Sequence, residues 1–343
     1  MKKYFVSIAK TSLVLVYLVI IAGAVVRMSG SGMGCPDWPK CFGYYIPPTE
    51  QKELLFSAGK EYDKGQVIIK DETLFVAKAD FKATTTFNAS NWEQYTKHDY
   101  AVFNPVHTWV EYINRLLGAL AGLACFATFL VSFYFWKERK LLVLFSFGIC
   151  LLMGFQAWLG KTVVDSVLNP YKITTHMLVA FLIVALQLYL IFKASDGTNT
   201  AEKFSSKFNS IIILALGLTV VQVVLGTTVR ESVDHISETG APKIMWLRSP
   251  EIWFYIHRSF SILVLLTNYY LFYANRKFQL GFFKINWVLT LIALEIGTGI
   301  LMAYFHFPFG TQPIHLVLAS LLFGVQFYLV LETQKKSNQV TVN

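Results

Sequence analysis

Charge is what this chain lacks. Asp, Glu, Lys and Arg make up 15% of its 343 residues, against 55% hydrophobic residues, well under the ~25% charged share of soluble domains. That balance excludes the two ordinary soluble domains that the length alone would suggest. Cysteine is scarce as well, with four in all. Two of them, Cys125 and Cys150, fall inside apolar runs and read as small buried filler. Acidic residues are outnumbered 21 to 30, for a net charge of +9, yet no other feature points to nucleic acid. No Arg-rich, acid-poor targeting stretch opens the chain, which leaves a bacterial inner (cell) membrane as the expected location.

What fills the sequence is apolar runs near the ~20 residues that cross a bilayer. They predict eight spans, at about 11–27, 108–135, 141–163, 171–192, 208–229, 252–274, 282–304 and 312–331. Lys2-Lys3 before an apolar stretch and "AGA" imitates a cleaved signal peptide, but seven further spans favour a retained helix. The basic residues Lys2, Lys3, Lys10, Lys137, Arg139, Lys140, Lys193, Lys203, Lys207, Arg276, Lys277, Lys335 and Lys336 fall on one side if both termini are cytoplasmic. The positive charge is therefore read as orientation in the lipid bilayer.

The chain repeats itself. "HMLVAFLIVALQLYL" from His176 and "HLVLASLLFGVQFYL" from His315 share His, Ala, Leu, Gln and Tyr at an offset of 139 residues. Gln156 and Gly160 match Glu295 and Gly299 at the same offset, "YINR" (112–115) matches "YIHR" (255–258) at 143, and "GAVVR" (23–27) matches "GTTVR" (226–230) at 203. Four matched spans in one order imply duplication. Because each half has an even number of spans, the repeat is parallel. The expected fold is an all-α membrane protein of two four-helix bundles. Its parts are span one (1–27), an outside loop (28–106), the rest of the N-terminal half (108–192), a cytoplasmic linker (193–207), the C-terminal half (208–331) and a cytoplasmic tail (332–343).

The loop 28–106 is too long for a plain connector. "KGQVIIKDETLFVAKADF" alternates like a hairpin with "KDE" at its turn, so a small β-containing insertion is expected. Tyr62, Val67, Phe75 and Trp92 loosely resemble small carbohydrate-binding modules, and a β-rich cap over the outer face explains them equally well. Cys35 and Cys41 in "GMGCPDWPKC" lie on the oxidising side, where five residues with two prolines can close a small disulfide loop.

Ionisable groups inside a membrane ask for a functional reason. Asn104-Pro105, Asn169-Pro170 and Ser249-Pro250 read as a cap followed by a first-turn proline. Counted from these, and from Pro308, His176, His257 and His315 lie six or seven residues in, at one level roughly 9–10 Å down at ~1.5 Å per residue. Facing imidazoles in a helical bundle suit haem iron. Zinc would want further Cys, His or carboxylate ligands, and none is evident at that depth. Arg27, Arg115, Arg230 and Arg258, near outer span ends, suit haem propionates, with interfacial anchoring as their other reading.

Taken together, "VEYINR", "SGSGMGCPDWPKC", "YIHR", "QPIH" and the eight-span duplication resemble the haem A synthase family over most of the chain outside about 55–97. The resemblance implies a haem b held between His257 and His315. The N-terminal half would receive haem O as substrate, with Glu111 required to convert its C8 methyl to the formyl of haem A through the alcohol and hydrated aldehyde. It also implies that the loop pair of the family matches Cys35 and Cys41. Haem O synthase would deliver the substrate, and assembly factors of haem–copper terminal oxidases would be partners. A homo-oligomer stays open. Some relatives carry a second cysteine pair between spans five and six, and residues 231–251 contain none.

The departure is Asn114, where the family generally has a His opposite the one matching His176. Asn is a poor iron ligand. His107 shares a helical face with Glu111 and Asn114 and is a candidate substitute, but it lies about 10 Å higher at ~1.5 Å per residue. A proton relay to Glu111 and a plain first-turn histidine are its other readings. His98, His235 and His306 are expected in loops without a role. The principal alternative is a dihaem, quinol-linked cytochrome b that transfers electrons without modifying haem, but it has no reason to place Glu111 one turn from a haem. A parallel-repeat transporter would want its polar residues at mid-membrane, and a quinone-linked disulfide generator would want a second cysteine pair.

Overall fold

A computed structural model describes residues 2–97, 102–195, 203 and 205–340. Among the described residues there are eight long α-helices: α1 Lys2–Met28, α2 Pro105–Ser132, α3 Lys140–Asp165, α4 Pro170–Ala194, α5 Ser206–Glu238, α6 Ile252–Lys277, α7 Ile285–Tyr304 and α8 Thr311–Val340. Seven are long and apolar enough to cross a membrane. The other, α6, has the length but is diluted by tyrosines, asparagines and the His257-Arg258 pair. His98 and parts of the linker and tail lie outside the described residues.

Two of the three expected caps hold. Asn104 Oδ1 accepts from the N–H groups of Val106 and His107, at 2.9 and 3.3 Å. Asn169 Oδ1 accepts from Tyr171 and Lys172, at 3.1 and 3.4 Å, and each is followed by proline at the first helical position. The third does not hold. Glu251 is the N-cap of α6, leaving Ser249-Pro250 in the connection before it, and α8 opens at Thr311 rather than at Pro308. Pro313 still fits inside the first turn of α8, where a backbone N–H has no partner to lose. His176, His257 and His315 are now six, five and four residues past their helix starts, a spread of about 3 Å at ~1.5 Å per residue. They remain within one turn of each other. α5 also continues past the expected end near 229, so Arg230 and His235 are helical. His306 is in the α7–α8 connection, as expected.

The helices form two rings of the same order. α1 packs on α2 and α4 while α3 closes the ring, and α5 packs on α6 and α8 while α7 closes the second. The rings meet along α4 and α8, the repeat-related pair, where the Phe181 and Phe323 rings stack 4.8 Å apart. Outward faces carry Leu116, Leu120 and Leu123 on α2 and Leu263 and Leu266 on α6, the residues a lipid-facing surface requires. Deeper in each ring lies a buried polar pair in equivalent positions. Gln187 Nε2 reaches Cys125 Sγ at 3.3 Å and Ser12 Oγ at 2.8 Å, and Gln326 Nε2 donates to Asn268 Oδ1 at 3.0 Å. Cys125 is buried in the apolar core of the N-terminal ring, as expected, and has these polar partners as well.

The hairpin forms as expected. Strands β2 (Val67–Lys70) and β3 (Thr73–Ala77) pair antiparallel across Asp71-Glu72, both at positive φ, as a two-residue turn of type I′ requires. β5 (Trp92–Gln94) adds to β3, and β1 (Glu61–Tyr62) pairs with β4 (Phe81–Lys82). One face packs on Cys35, Cys41, Phe42 and Leu54, so the sheet and the cysteine loop share a core.

Candidate functional site

The site begins where the cysteine loop crosses α2. Gly34 makes the crossing possible, since a Cβ there would lie 2.4 Å from the His107 carbonyl oxygen. Cys35 and Cys41 form the disulfide. The close approach brings the Cys35 N–H to Glu111 Oε2 at 2.7 Å. Arg115, one turn further along α2, pairs with Glu111 Oε1. It also donates to the carbonyls of Cys35 at 3.0 Å, Asp37 at 2.7 Å and Lys40 at 3.0 Å. A bare carboxylate buried at 4% exposure would be expensive, and these contacts compensate it. The loop itself is braced by Asp37, whose carboxylate accepts from the Gly43 N–H at 2.8 Å. Burial pushes the Asp37 carboxyl up, while the Gly43 and Phe42 N–H groups and Arg115 draw it down. Tyr95 donates to the Pro36 carbonyl at 2.8 Å, and burial pushes its phenol up to about 12.

Below this level a pattern repeats four times. A Cβ on Gly160 would lie 3.6 Å from the His176 ring, on Gly226 3.1 Å from His257 and on Gly299 3.8 Å from His315. A Cβ on Gly23 would lie 4.0 Å from Asn114 Oδ1. Each of these three histidines faces a glycine on the adjoining helix, which leaves room for the ring, and Asn114 occupies the fourth equivalent place. Asn114 Oδ1 and the Nδ1 atoms of His176 and His257 are buried without a hydrogen-bond partner. Groups left this way usually await a ligand or water.

In the C-terminal ring the His257 and His315 ring centroids are 6.5 Å apart. One metal ion bound by both would need ~2 Å per metal–nitrogen bond plus about 1 Å to each ring centre, roughly 6 Å in all. Gln222 Nε2 donates to the His257 carbonyl at 3.1 Å, and Gln156 does the same for His176 at 2.8 Å. His315 differs, because its Nδ1 lies 2.7 Å from Glu295 Oε2 and 2.8 Å from Thr298 Oγ1. A carboxylate does therefore stand at the histidine level, contrary to the expectation of none. Even so, among the described residues no three His, Cys, Asp or Glu side chains converge as a metal-holding group. The donor set suits an ion whose remaining ligands come with it, as a macrocycle's do.

The arginines divide. Arg27 and Arg230 converge on Asp234, at 2.7 and 2.5 Å. Arg27 Nε and Arg230 Nε and Nη1 are buried without partners, so donors remain for a further anion. Arg115 is committed to the loop, and Arg258 lies outward over the Phe254 and Tyr255 rings. His107 is half-buried in the first turn of α2, one turn before Glu111. Asp234 is not legible as a site residue in the sequence, because the apolar run of α5 ends before it while the helix continues to Glu238. Nor is the chemical part of Glu295 legible there, although the repeat offset pairs it with Gln156.

Fold and site together define a multi-pass membrane protein made of two like four-helix units, with a facing imidazole pair in one and a buried carboxylate under a disulfide loop in the other. The family model COX15-CtaA, described as cytochrome oxidase assembly protein, matches residues 7–327. The chain belongs to that family. It is 24% identical to a protein named heme A synthase from Ehrlichia canis (strain Jake), over 92% of this chain and 89% of that protein. A protein of the same name from Wolbachia pipientis subsp. Culex pipiens (strain wPip) is 24% identical over 92% and 93%. Another from Maricaulis maris (strain MCS10) is 28% identical over 63% of this chain and 57% of its own length.

Proposed function

We propose that the protein is a haem A synthase of a bacterial cell membrane, an oxidoreductase that converts the C8 methyl of haem O to the formyl group of haem A for terminal oxidase assembly. The observation that carries this reading is the asymmetry of the two rings. One has a facing imidazole pair, and the other has Glu111 where the first has Phe254, and Asn114 where the first has His257.

The residues fit a haem in each ring on three counts: glycine-made space at every ring position, orphaned imidazole nitrogens, and spare guanidinium donors at Arg27 and Arg230. His257 and His315 would hold a haem b, which when bound supplies one-electron transfer. His176 would hold the iron of the substrate haem O, with the Asn114 side left without an imidazole, and Arg27 and Arg230 would meet propionates. Glu111 would take up or stabilise charge at the reacting methyl, while Arg115 and the Cys35 N–H keep its carboxylate in one orientation. The termini would lie in the cytoplasm and the disulfide loop and β insertion outside, where they shield the Glu111 level from water. Haem O synthase would supply the substrate.

The test is spectroscopic. Purified protein should show a low-spin haem b that disappears in His257→Ala and in His315→Ala. An unchanged low-spin spectrum in both variants would remove the assignment of the pair.

A further inference from the structure

The two rings are copies, so a difference between equivalent positions is informative. His315 and His176 are repeat partners, and so are Glu295 and Gln156, and Thr298 and Leu159. In the C-terminal ring Nδ1 of His315 meets both Glu295 and Thr298. The Thr298 hydroxyl also lies 3.0 Å from the carbonyls of Leu294 and Glu295. Its single proton goes to the backbone, so toward the imidazole its oxygen can only accept. The carboxylate accepts as well. The ring proton is thereby held on Nδ1, and the Nε2 lone pair is left for a metal. In the N-terminal ring neither acceptor exists. Gln156 turns to the His176 carbonyl, Leu159 offers no polar atom, and His176 Nδ1 is buried and unpartnered.

We infer that Glu295, seconded by Thr298, is a positioning residue that makes His315 a fixed and strongly donating axial ligand. The lack of such partners around His176 makes the N-terminal haem site an exchangeable one. The inference rests on the proposed haem b between His257 and His315. A carboxylate accepting from the far nitrogen of a ligating imidazole orients the ring and raises its basicity, and loss of such a partner commonly weakens metal binding 10–100-fold. A more basic ligand favours the ferric over the ferrous ion, so the potential of the haem on His315 is held down. A substrate that must enter as haem O and leave as haem A is served by weak ligation, and both Asn114 and the bare His176 nitrogen weaken it.

The experiment is redox potentiometry with electron paramagnetic resonance on detergent-purified wild type, Glu295→Gln, Thr298→Val and Gln156→Glu. Glu295→Gln keeps the side-chain shape and removes the charge. The expected result is a retained low-spin haem b with a more positive midpoint potential, faster haem loss to apomyoglobin by about tenfold or more, and a smaller shift of the same sign in Thr298→Val. Gln156→Glu should slow loss of the N-terminal haem and leave haem b unchanged. An unmoved potential in Glu295→Gln overturns the inference. Should Glu295→Gln fail to retain haem, Thr298→Val decides, and an unmoved potential there overturns it. The outcome that strikes the haem b assignment is different: a low-spin signal that survives both His257→Ala and His315→Ala.

Discussion

The backbone N–H of Cys35 donates to Glu111 Oε2 across 2.7 Å, joining two residues 76 positions apart. One end belongs to a disulfide-closed loop and the other to the second helix of the N-terminal ring. The contact makes the loop part of the site, because it orients the carboxylate as well as covering it.

Opening the disulfide should therefore act on chemistry and spare the other ring. In Cys35→Ser/Cys41→Ser the loop loses its closure while His257 and His315, in the other ring, are untouched. The ratio of haem A to haem O in extracts should fall by about tenfold or more, since misplacement of ~1 Å can act on a ~100-fold scale. The low-spin haem b spectrum should be unchanged. An unaltered haem A yield would make the disulfide a passive staple.

Arg115 holds three loop carbonyls and Glu111 at once. Arg115→Leu should destabilise the protein by about 3–5 kcal/mol, the scale for stripping one partner from a buried ion pair. Cleavage of the 34–42 loop by protease should accelerate. In Glu111→Gln/Arg115→Leu the stranded charge is gone, so much of the loss should return. A double variant as unstable as the sum of its parts would show that Arg115 acts through the loop alone.

The Asp37 carboxyl is raised above its ordinary value, with burial as the leading cause. A raised carboxyl favours the folded state while protonated, and that contribution is lost as pH rises through the folded value. Asp37→Asn does not titrate. Its thermal midpoint should therefore improve relative to wild type as pH increases from below 4 toward neutrality. A wild type that gains on the variant over that range would show that Arg115 and the loop N–H groups outweigh burial.

Much of this architecture is visible in the sequence because membrane helices and repeats write long signals. The Asn-Pro pairs at 104–105 and 169–170 mark helix starts, since the amide oxygen and the missing proline N–H answer the same unsatisfied turn. Ser249-Pro250 is a similar pair and does not start a helix, because the backbone stays extended through Glu251, whose side chain accepts from Ser232 Oγ at 2.9 Å and makes no capping bond, and a proline is equally at home in the preceding connection. The end of α5 is hidden for a related reason. "ESVDHISE" is polar and ends the apolar run, yet its residues continue a helix once outside the lipid, and Asp234 then reaches Arg27 and Arg230. The partners of His315 are the hardest to read. An offset of 139 pairs Glu295 with Gln156, but only the geometry shows that one turns to an imidazole nitrogen and the other to a backbone carbonyl.

Asn114 faces Gly23 at the place equivalent to His257 and Gly226. Asn114→His should add an imidazole opposite His176 and convert the N-terminal haem to a six-coordinate, low-spin form in electron paramagnetic resonance. His107→Ala should then lower activity only modestly. If His107 is itself the ligand, His107→Ala should abolish the N-terminal haem signal and Asn114→His should change nothing.

The central claim is that the N-terminal ring oxidises haem O through Glu111. The direct measurement is chromatography of haems extracted from cells that make haem O and express either wild type or Glu111→Gln. Wild type should yield haem A together with haem b. Glu111→Gln should keep its haem b and accumulate haem O or its hydroxylated form, with little haem A. Haem A at wild-type levels from Glu111→Gln, or haem b alone from the wild type, would contradict the account.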